Sequence, residues 1–216
     1  MIHDHPRITG IAKLKGRRQP VRVDFSDGVS CEMDPEMLLL SRWSVDLEVE
    51  SDERDRLARL SRRKVAKDLA VENLNRRVMS EKEIRQKLRT KKIEPDIIDA
   101  TVTDLQRVGL IDDEDFAARY CREQLHRSPV GPFKLQRDLM QRGIPRDVID
   151  DTMRQVYADH DQGALAAGLL RQRGFGLELR DDVKRQQRAY GLLARRGFDN
   201  DVIQDAMQQL ATPTAP

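Results

Sequence analysis

Ser61-Arg62-Arg63-Lys64 places a lysine amine three residues after a serine hydroxyl, the spacing at which an amine can deprotonate a nucleophile. It lies in a charged, helical stretch, and no other element of acyl-transfer machinery accompanies it. The four histidines are the next candidates, for acid–base or metal chemistry. His3 and His5 lie at the very start of the chain. His126 and His160 stand 34 residues apart, with no cysteine or carboxylate at ligand spacing. Gly174-Phe175-Gly176 lacks the preceding strand that a phosphate-cradling loop needs. Asp112-Asp113 and Asp150-Asp151 read as helix caps and exposed faces. No catalytic set, metal site or cofactor site emerges, and the expectation is a binding protein rather than an enzyme.

What the chain does have in quantity is charge. Lys+Arg number 39 and Asp+Glu 37, so 35% of residues are charged while the net is only +2. The near-zero sum hides segregation. From Arg7 to Arg22 there are six basic residues and no acids, among them Lys13, Lys15, Arg17 and Arg18, a candidate basic patch. Lys82, Arg85, Arg89 and Lys92 follow a 3-4-3 spacing that would form one helical stripe. Lys134 and Arg137, then Lys184, Arg185 and Arg188, recur in corresponding later segments. Acids concentrate directly after each basic segment: Glu94, Asp96, Asp99 and Asp104; Asp147, Asp150 and Asp151; Asp199, Asp201 and Asp205. Taken singly these charges read as solvated surface or as helix-dipole partners. The same preference in three segments predicts a basic face and an acidic face, and a basic face suits a phosphate backbone or an acidic protein. At 4% aromatic, the chain has few platforms for stacking bases.

The elements that carry these charges repeat. Ile84, Leu88, Ile93, Ile97, Ile98, Val102 and Leu105 form a pattern that recurs 51 residues on as Leu135, Leu139, Ile144, Val148, Ile149, Met153 and Val156. It recurs again 54 residues later as Ala189, Leu193, Phe198, Val202, Ile203, Met207 and Leu210. Asp96, Asp147 and Asp201 share one further column. A repeat of this length whose apolar columns all match signals stacked modules. Each copy reads as two helices with a tight joint. Gly143 and Gly197 supply the left-handed residue ending the first helix, and Pro95 and Pro145 open the second. Lys92 occupies the glycine column in the first copy, so that joint is expected to be strained or differently closed. Ser80-x-x-Glu83 is a capping box.

A third helix precedes each pair. It carries Phe116, Ala117, Tyr120, Cys121 and Leu125 in the second copy and Leu165, Leu169 and Leu170 in the third. In the first copy it carries Leu69, Leu74 and Val78 and starts near Asp55. The predicted fold is mainly α: three tandem three-helix repeats (residues 51–110, 111–158 and 159–210) forming an elongated, curved body, and a disordered tail over 211–216. Modules this small must stack to bury enough apolar surface.

Residues 1–50 differ, predicting a small N-terminal β-hairpin extension with a short helix. Val21, Val23 and Phe25 alternate with polar residues, as do Val29, Cys31 and Met33. Only a three-residue loop, Ser26-Asp27-Gly28, pairs Phe25 with Val29, Val23 with Cys31 and Val21 with Met33 and leaves one apolar face, because a one-residue slip turns every side chain over. Gly28 is then left-handed in a type I turn. Ile8–Leu14 offers an imperfect third strand. Asp34 caps a short helix opened by Pro35, and Trp43 reads as a packing anchor between hairpin and helix.

No apolar run approaches the ~20 residues of a membrane span, and the first residues do not read as a secretory signal. Cys31 and Cys121 have no partner spacing, which fits a reducing cytoplasm.

Ser80-Glu81-Lys82-Glu83-Ile84-Arg85-x2-Leu88 and Gly109-Leu110-Ile111-Asp112-Asp113-x2-Phe116-Ala117-x2-Tyr120 resemble signatures of the RecX family of recombination regulators. Gly131-Pro132-x2-Leu135-x3-Leu139-x3-Gly143-Ile144 and Arg195-Arg196-Gly197-Phe198 with Val202-Ile203 are similar to its second and third repeats. The resemblance covers about residues 60 to 210, and Lys92 in place of glycine is the clearest departure. It implies a cytoplasmic bacterial protein, a monomer without cofactor or membrane contact. Such a protein binds the RecA filament on single-stranded DNA and restrains its ATPase and strand exchange, in some members touching DNA as well. Direct DNA binding by helix-turn-helix-like modules is the competing expectation.

Overall fold

The computed structural model describes residues 5–16 and 18–212. His3, Arg17 and the tail beyond Thr212 lie outside the described residues. The chain divides into two compact units: one runs to Met79 and resumes over Ile84–Ile111, and the other takes in Ser80–Glu83 and the chain from Asp112.

The first unit opens with three antiparallel strands in the order β1 (Ile8–Lys13), β2 (Val21–Phe25), β3 (Ser30–Met33). The hairpin register is the one that leaves a single apolar face. Val21 faces Met33, Val23 faces Cys31, and the Phe25 N–H donates to the Val29 carbonyl at 2.9 Å. Gly28 is left-handed, at φ +81°. Asp27 clamps this turn. Its carboxylate accepts from the Val29 N–H at 3.0 Å and from Arg54 at 2.5 Å, and the Val29 bond is the main cause holding its pKa below the ordinary range. The imperfect segment Ile8–Leu14 does pair with β2, and its irregularity is a register shift between Ile8 and Gly10.

Two helices come next, α1 (Pro35–Ser41) and α2 (Ser51–Leu74). Asp34 caps α1 by accepting from the Glu36 N–H at 3.0 Å. Ser61 is buried in α2 and its hydroxyl accepts from the Asp34 N–H at 2.6 Å. Lys64 donates to Asp34 at 3.1 Å and contacts Glu36. The Glu36 bond above all pushes the Lys64 pKa upward. A lysine held protonated in this way cannot serve as a base, so the Ser-x-x-Lys pair is a strut between α1 and α2.

Twenty-four residues make α2 a rod of about 36 Å, and it serves two cores. Leu57, near its start, packs beside Ile8, Val23, Phe25, Met33, Val49 and the buried Trp43, whose ring meets Phe25 edge-on at 5.7 Å. Ala66 and Ala70 lie against α3 (Glu81–Thr90) and α4 (Pro95–Arg107) through Ile84, Leu88, Ile97, Ile98, Val102 and Leu105. The helix begins at Ser51, a turn earlier than Asp55. Val78 lies past its end and is 42% exposed, so the expected Leu69–Leu74–Val78 face is led instead by two alanines that admit α4 closely.

The second unit runs α5 (Asp113–Arg127), α6 (Pro132–Gln141), α7 (Arg146–Ala158), α8 (Gln162–Gln172), a single 3-10 turn (Leu177–Arg180), α9 (Val183–Arg195) and α10 (Asn200–Ala211). Asp112, Asp161, Asp182 and Asp199 each cap a helix with a carboxylate. One core gathers Phe116, Ala117, Cys121, Leu135, Leu139 and Ile149. The other gathers Leu169, Leu170, Leu193, Phe198 and Ile203. Pro145 sits at the N-cap of α7, one position earlier than the spacing suggests.

All three joints close alike. The residue after the turn donates back to a carbonyl five positions earlier: Ile93 to Leu88, Ile144 to Leu139 and Phe198 to Leu193, at 3.1–3.3 Å. This is the six-to-one bond of a helix-ending motif. Lys92 keeps the same closure, at φ +58°, so that joint is strained rather than redrawn. Inside the second unit each glycine joint also receives an incoming helix start. The Gly131 N–H donates to the Arg196 carbonyl at 2.9 Å and the Phe133 N–H to the Gly197 carbonyl at 3.1 Å. The unsatisfied donors that open α6 thus meet the unsatisfied acceptors that end α9. A Cβ on Gly197 would lie 2.2 Å from the Lys134 nitrogen. One copy earlier, the Ser80 hydroxyl donates to the Arg142 carbonyl at 2.7 Å.

Gly197→Ala should therefore cost about 3 kcal/mol or more, through clash and a left-handed backbone, whereas Lys92→Gly should gain about 1 kcal/mol. Urea unfolding of both variants measures this, and equal effects would contradict it. Burial pushes the Cys121 thiol up to about 12 and raises that of half-buried Cys31 as well. Iodoacetamide at about pH 8 should label Cys31 slowly and Cys121 only after unfolding. Prompt alkylation of Cys121 in the native protein would show the second core to be open.

Candidate interaction surface

The middle helices α3, α6 and α9 carry the predicted cations, and their surroundings sort those cations into committed and available ones. Lys82 donates to the Gln141 carbonyl at 3.0 Å, inside the second unit. Arg85 leans onto α4 and pairs with Asp99 at 2.5 Å. Lys92 lies beyond the end of α3. The 3-4-3 stripe therefore exists in the spacing but not as a set of free charges, and Arg89 is the member on α3 itself that is exposed without a partner among the described residues, with Lys92 a second one past the helix end.

The first unit gathers a different cluster. Lys15 and Arg18 of the N-terminal patch share a cleft of about 670 Å³ with Arg76, Lys87 and Lys91. Arg18 is anchored by Asp68 at 3.2 Å and Glu72 at 3.4 Å. Lys13 lies apart, exposed on β1. The stripe pattern passes over Lys87, on α3, and Lys91, one residue past its end, although their spacing of four is a sufficient signal for a second pair.

On α6, Lys134 holds Asp138 at 2.6 Å, and the Tyr120 hydroxyl donates to the same carboxylate at 3.1 Å. The Arg142 guanidinium covers the Tyr120 ring at 4.4 Å. Burial raises the Tyr120 pKa, which keeps it a donor to this nearly buried acid. Lys134 is thus structural, and Arg137 is the exposed cation of this helix. On α9, Arg185 turns to Glu178. Lys184 and Arg188 instead meet Gln187 and Arg195 around a shallow depression. Gly191 leaves room there for the Arg195 guanidinium, which lies 3.1 Å from where a Cβ would stand. Gln187 and Arg195 belong with the predicted pair, at helical spacings of three from Lys184 and seven from Arg188 on the same helix.

The acids are committed unevenly. Arg59, Arg62 and Arg63 of α2 answer Asp96, Glu94 and Asp104 at 2.5, 2.9 and 2.6 Å. The Arg63 hydrogen bond is the leading cause that depresses the Asp104 pKa. In the first repeat the expected acidic face is therefore largely neutralised by its own first helix. His126 and His160 come together with Arg122 beside a small depression, without carboxylate or thiol. Among the described residues no three metal-ligating side chains converge.

Three family models match in succession: the first three-helix domain of RecX over residues 66–105, the second over 112–153 and the third over 167–207. The Regulatory protein RecX of Chlorobium phaeobacteroides strain BS1 is 34% identical over 147 residues, which is 68% of this chain and 94% of that protein. The protein of the same name in Xanthomonas campestris pv. campestris strain B100 is 36% identical over 130 residues, 60% of this chain and 78% of that one. A crystal structure of regulatory protein RecX shares the fold at a TM-score of 0.64 and 21% identity, covering 92% of this chain and 97% of its own. That of RecX from Lactobacillus salivarius reaches 0.61 at 25% identity, over 69% of this chain and 96% of its own. No helix of the described residues is long and apolar enough to cross a membrane. Three consecutive domain matches that together span more than half the chain, over helices that repeat as the models require, mean that it belongs to the RecX family of regulatory proteins.

Proposed function

We propose that this protein binds the RecA filament on single-stranded DNA and restrains its ATPase, recombinase and coprotease activities in DNA repair. It would act as a cytoplasmic monomer without a cofactor or chemistry of its own. Family membership supports the regulatory role. The observation that carries the mode of contact is that each middle helix keeps at least one exposed cation outside the internal ion pairs: Arg89 on α3, Arg137 on α6, Lys184 and Arg188 on α9. Each contact is weak alone, and tethering several in one chain adds them through effective concentration. A chain fixed to neighbouring subunits at several points opposes the movements those subunits make during turnover.

The cluster of Lys184, Gln187, Arg188 and Arg195 favours a second reading, direct contact with a nucleic-acid backbone, because unpaired cations around a shallow depression suit a phosphodiester. That reading requires strong, salt-sensitive binding to naked DNA, whereas the filament reading requires an effect that depends on the recombinase.

Steady-state DNA-dependent RecA ATPase, with and without the chain, tests the proposal. A clear fall is expected at substoichiometric ratios, and an unchanged rate at equimolar protein would end it. The triple variant Arg89→Glu, Arg137→Glu, Arg188→Glu should raise the half-inhibiting concentration about tenfold without lowering thermal stability, since three exposed contacts of about 0.5 kcal/mol each amount to that factor. Wild-type inhibition by this variant would show those cations to be solvated surface.

A further inference from the structure

We infer that the outer edge of β3 is a binding site for an extended acidic peptide, taken up as a fourth strand of the N-terminal sheet. The inference is independent of the filament contact proposed above. β3 is hydrogen-bonded on one side only, to β2. The Phe25–Val29 bond fixes which residues face inward. Antiparallel pairs alternate, so Val23–Cys31 and Val21–Met33 exchange ladder bonds, and the backbone groups of Ser30 and Glu32 point away from β2. Among the described residues nothing meets those groups. The opposite edge of the sheet is guarded at its start: Ile8 exchanges bonds with Asp46 and Leu47, the Val49 N–H donates to the Pro6 carbonyl, and Arg7 bridges to Glu48. Such guarding is the usual treatment of an edge strand, and neither Ser30 nor Glu32 of β3 receives it.

The open edge borders a cleft of about 880 Å³. Ala58, Arg62 and Val65 of α2 line it, together with the α3–α4 joint, Lys91–Glu94. A strand as long as β3 takes on the order of 600 Å³, at 3.3 Å per residue, 4.8 Å between strands and about 10 Å between layers. The cleft therefore has room for one strand. Its free charge among the described residues, two lysines against the one unpaired acid Glu32, favours an acidic occupant. The arginines on its walls are already answered: Arg54 by Asp27 and Asp55, Arg59 by Asp96, Arg62 by Glu94. Lys91 and Lys92 are not, and both line the cleft as exposed side chains without partners among the described residues. Lys92 holds that place in a left-handed backbone where both sister joints have glycine. A strained residue kept where a relaxed one would serve is the kind of outlier that marks a functional position. Strand addition supplies main-chain bonds to Ser30 and Glu32, and carboxylates on the peptide supply the charge that Lys91 and Lys92 lack.

A labelled octapeptide of alternating valine and glutamate, its lysine counterpart, and the acidic peptide N-methylated at alternate residues in either of the two registers test this by fluorescence anisotropy on the full chain. Hydrogen exchange of the Ser30 and Glu32 amides is followed alongside. Saturable binding of the acidic peptide is expected, at least tenfold tighter than the lysine peptide, with both amides protected on binding and affinity lost for one N-methylated register. The variant Lys91→Glu with Lys92→Glu should weaken binding about tenfold while the native fold is retained. Absence of saturation by about 1 mM, which corresponds to only about −4 kcal/mol, overturns the proposal. So does equal binding of the two charge types, unchanged exchange at Ser30 and Glu32, or full affinity for both N-methylated registers. The peptide-side comparisons need no altered protein, so a variant that failed to fold would not shield the idea.

Discussion

A single left-handed residue between the second and third helix of each repeat governs the remaining geometry. It reverses the chain within one turn and brings Leu88, Leu139 and Leu193 carbonyls to the N–H groups just past the turn. That closure sets the angle at which the apolar columns meet, so each repeat's core depends on it. In the second unit the same turn exposes the carbonyls of Arg196 and Gly197 to the first N–H groups of α6. Helix ends that would otherwise need water or capping side chains satisfy one another. Gly131 and Gly197 approach so closely that neither has room for a Cβ. The first repeat shows what changes where that demand is absent: Lys92 keeps the turn, at the expense of strain, and gains a charged side chain.

Much of this was legible because it rests on spacing. The apolar columns, the left-handed glycines and the aspartate caps are local rules, and the hairpin register came from requiring one apolar face. What the sequence concealed was tertiary. Ala66 and Ala70 carry the core face of α2 because small side chains let α4 approach, and no periodicity of large apolar residues announces that. Ser61 and Lys64 look like chemistry until Asp34 and Glu36 are brought to them from another helix. The cations were harder still. Arg85 and Lys134 have the same charge and helical setting as Arg89 and Arg137, yet Asp99 and Asp138 claim the first two. For Lys134 the claimant stands four residues on in the same helix, but for Arg85 availability is a property of the neighbouring helix, which spacing within one helix does not report.

This sorting also changes the meaning of the small net charge. The chain is not a neutral body with scattered ions. In the first unit Arg59 and Arg63 of α2 are spent on the acids of α4, and Lys87 and Lys91 remain. The ion pairs are mostly exposed, so each adds little to stability. Their larger effect is subtractive, removing acids that would otherwise screen the remaining cations.

The lone tryptophan has a consequence of its own. Trp43 is buried in the sheet core, edge-on to Phe25, whose ring also carries the Arg54 guanidinium at 5.3 Å. The second unit contains no tryptophan. Ultraviolet emission excited at the red edge of the spectrum therefore originates wholly in the first unit. Light from this molecule reports whether the sheet is seated on α2, and the second unit can loosen without dimming it.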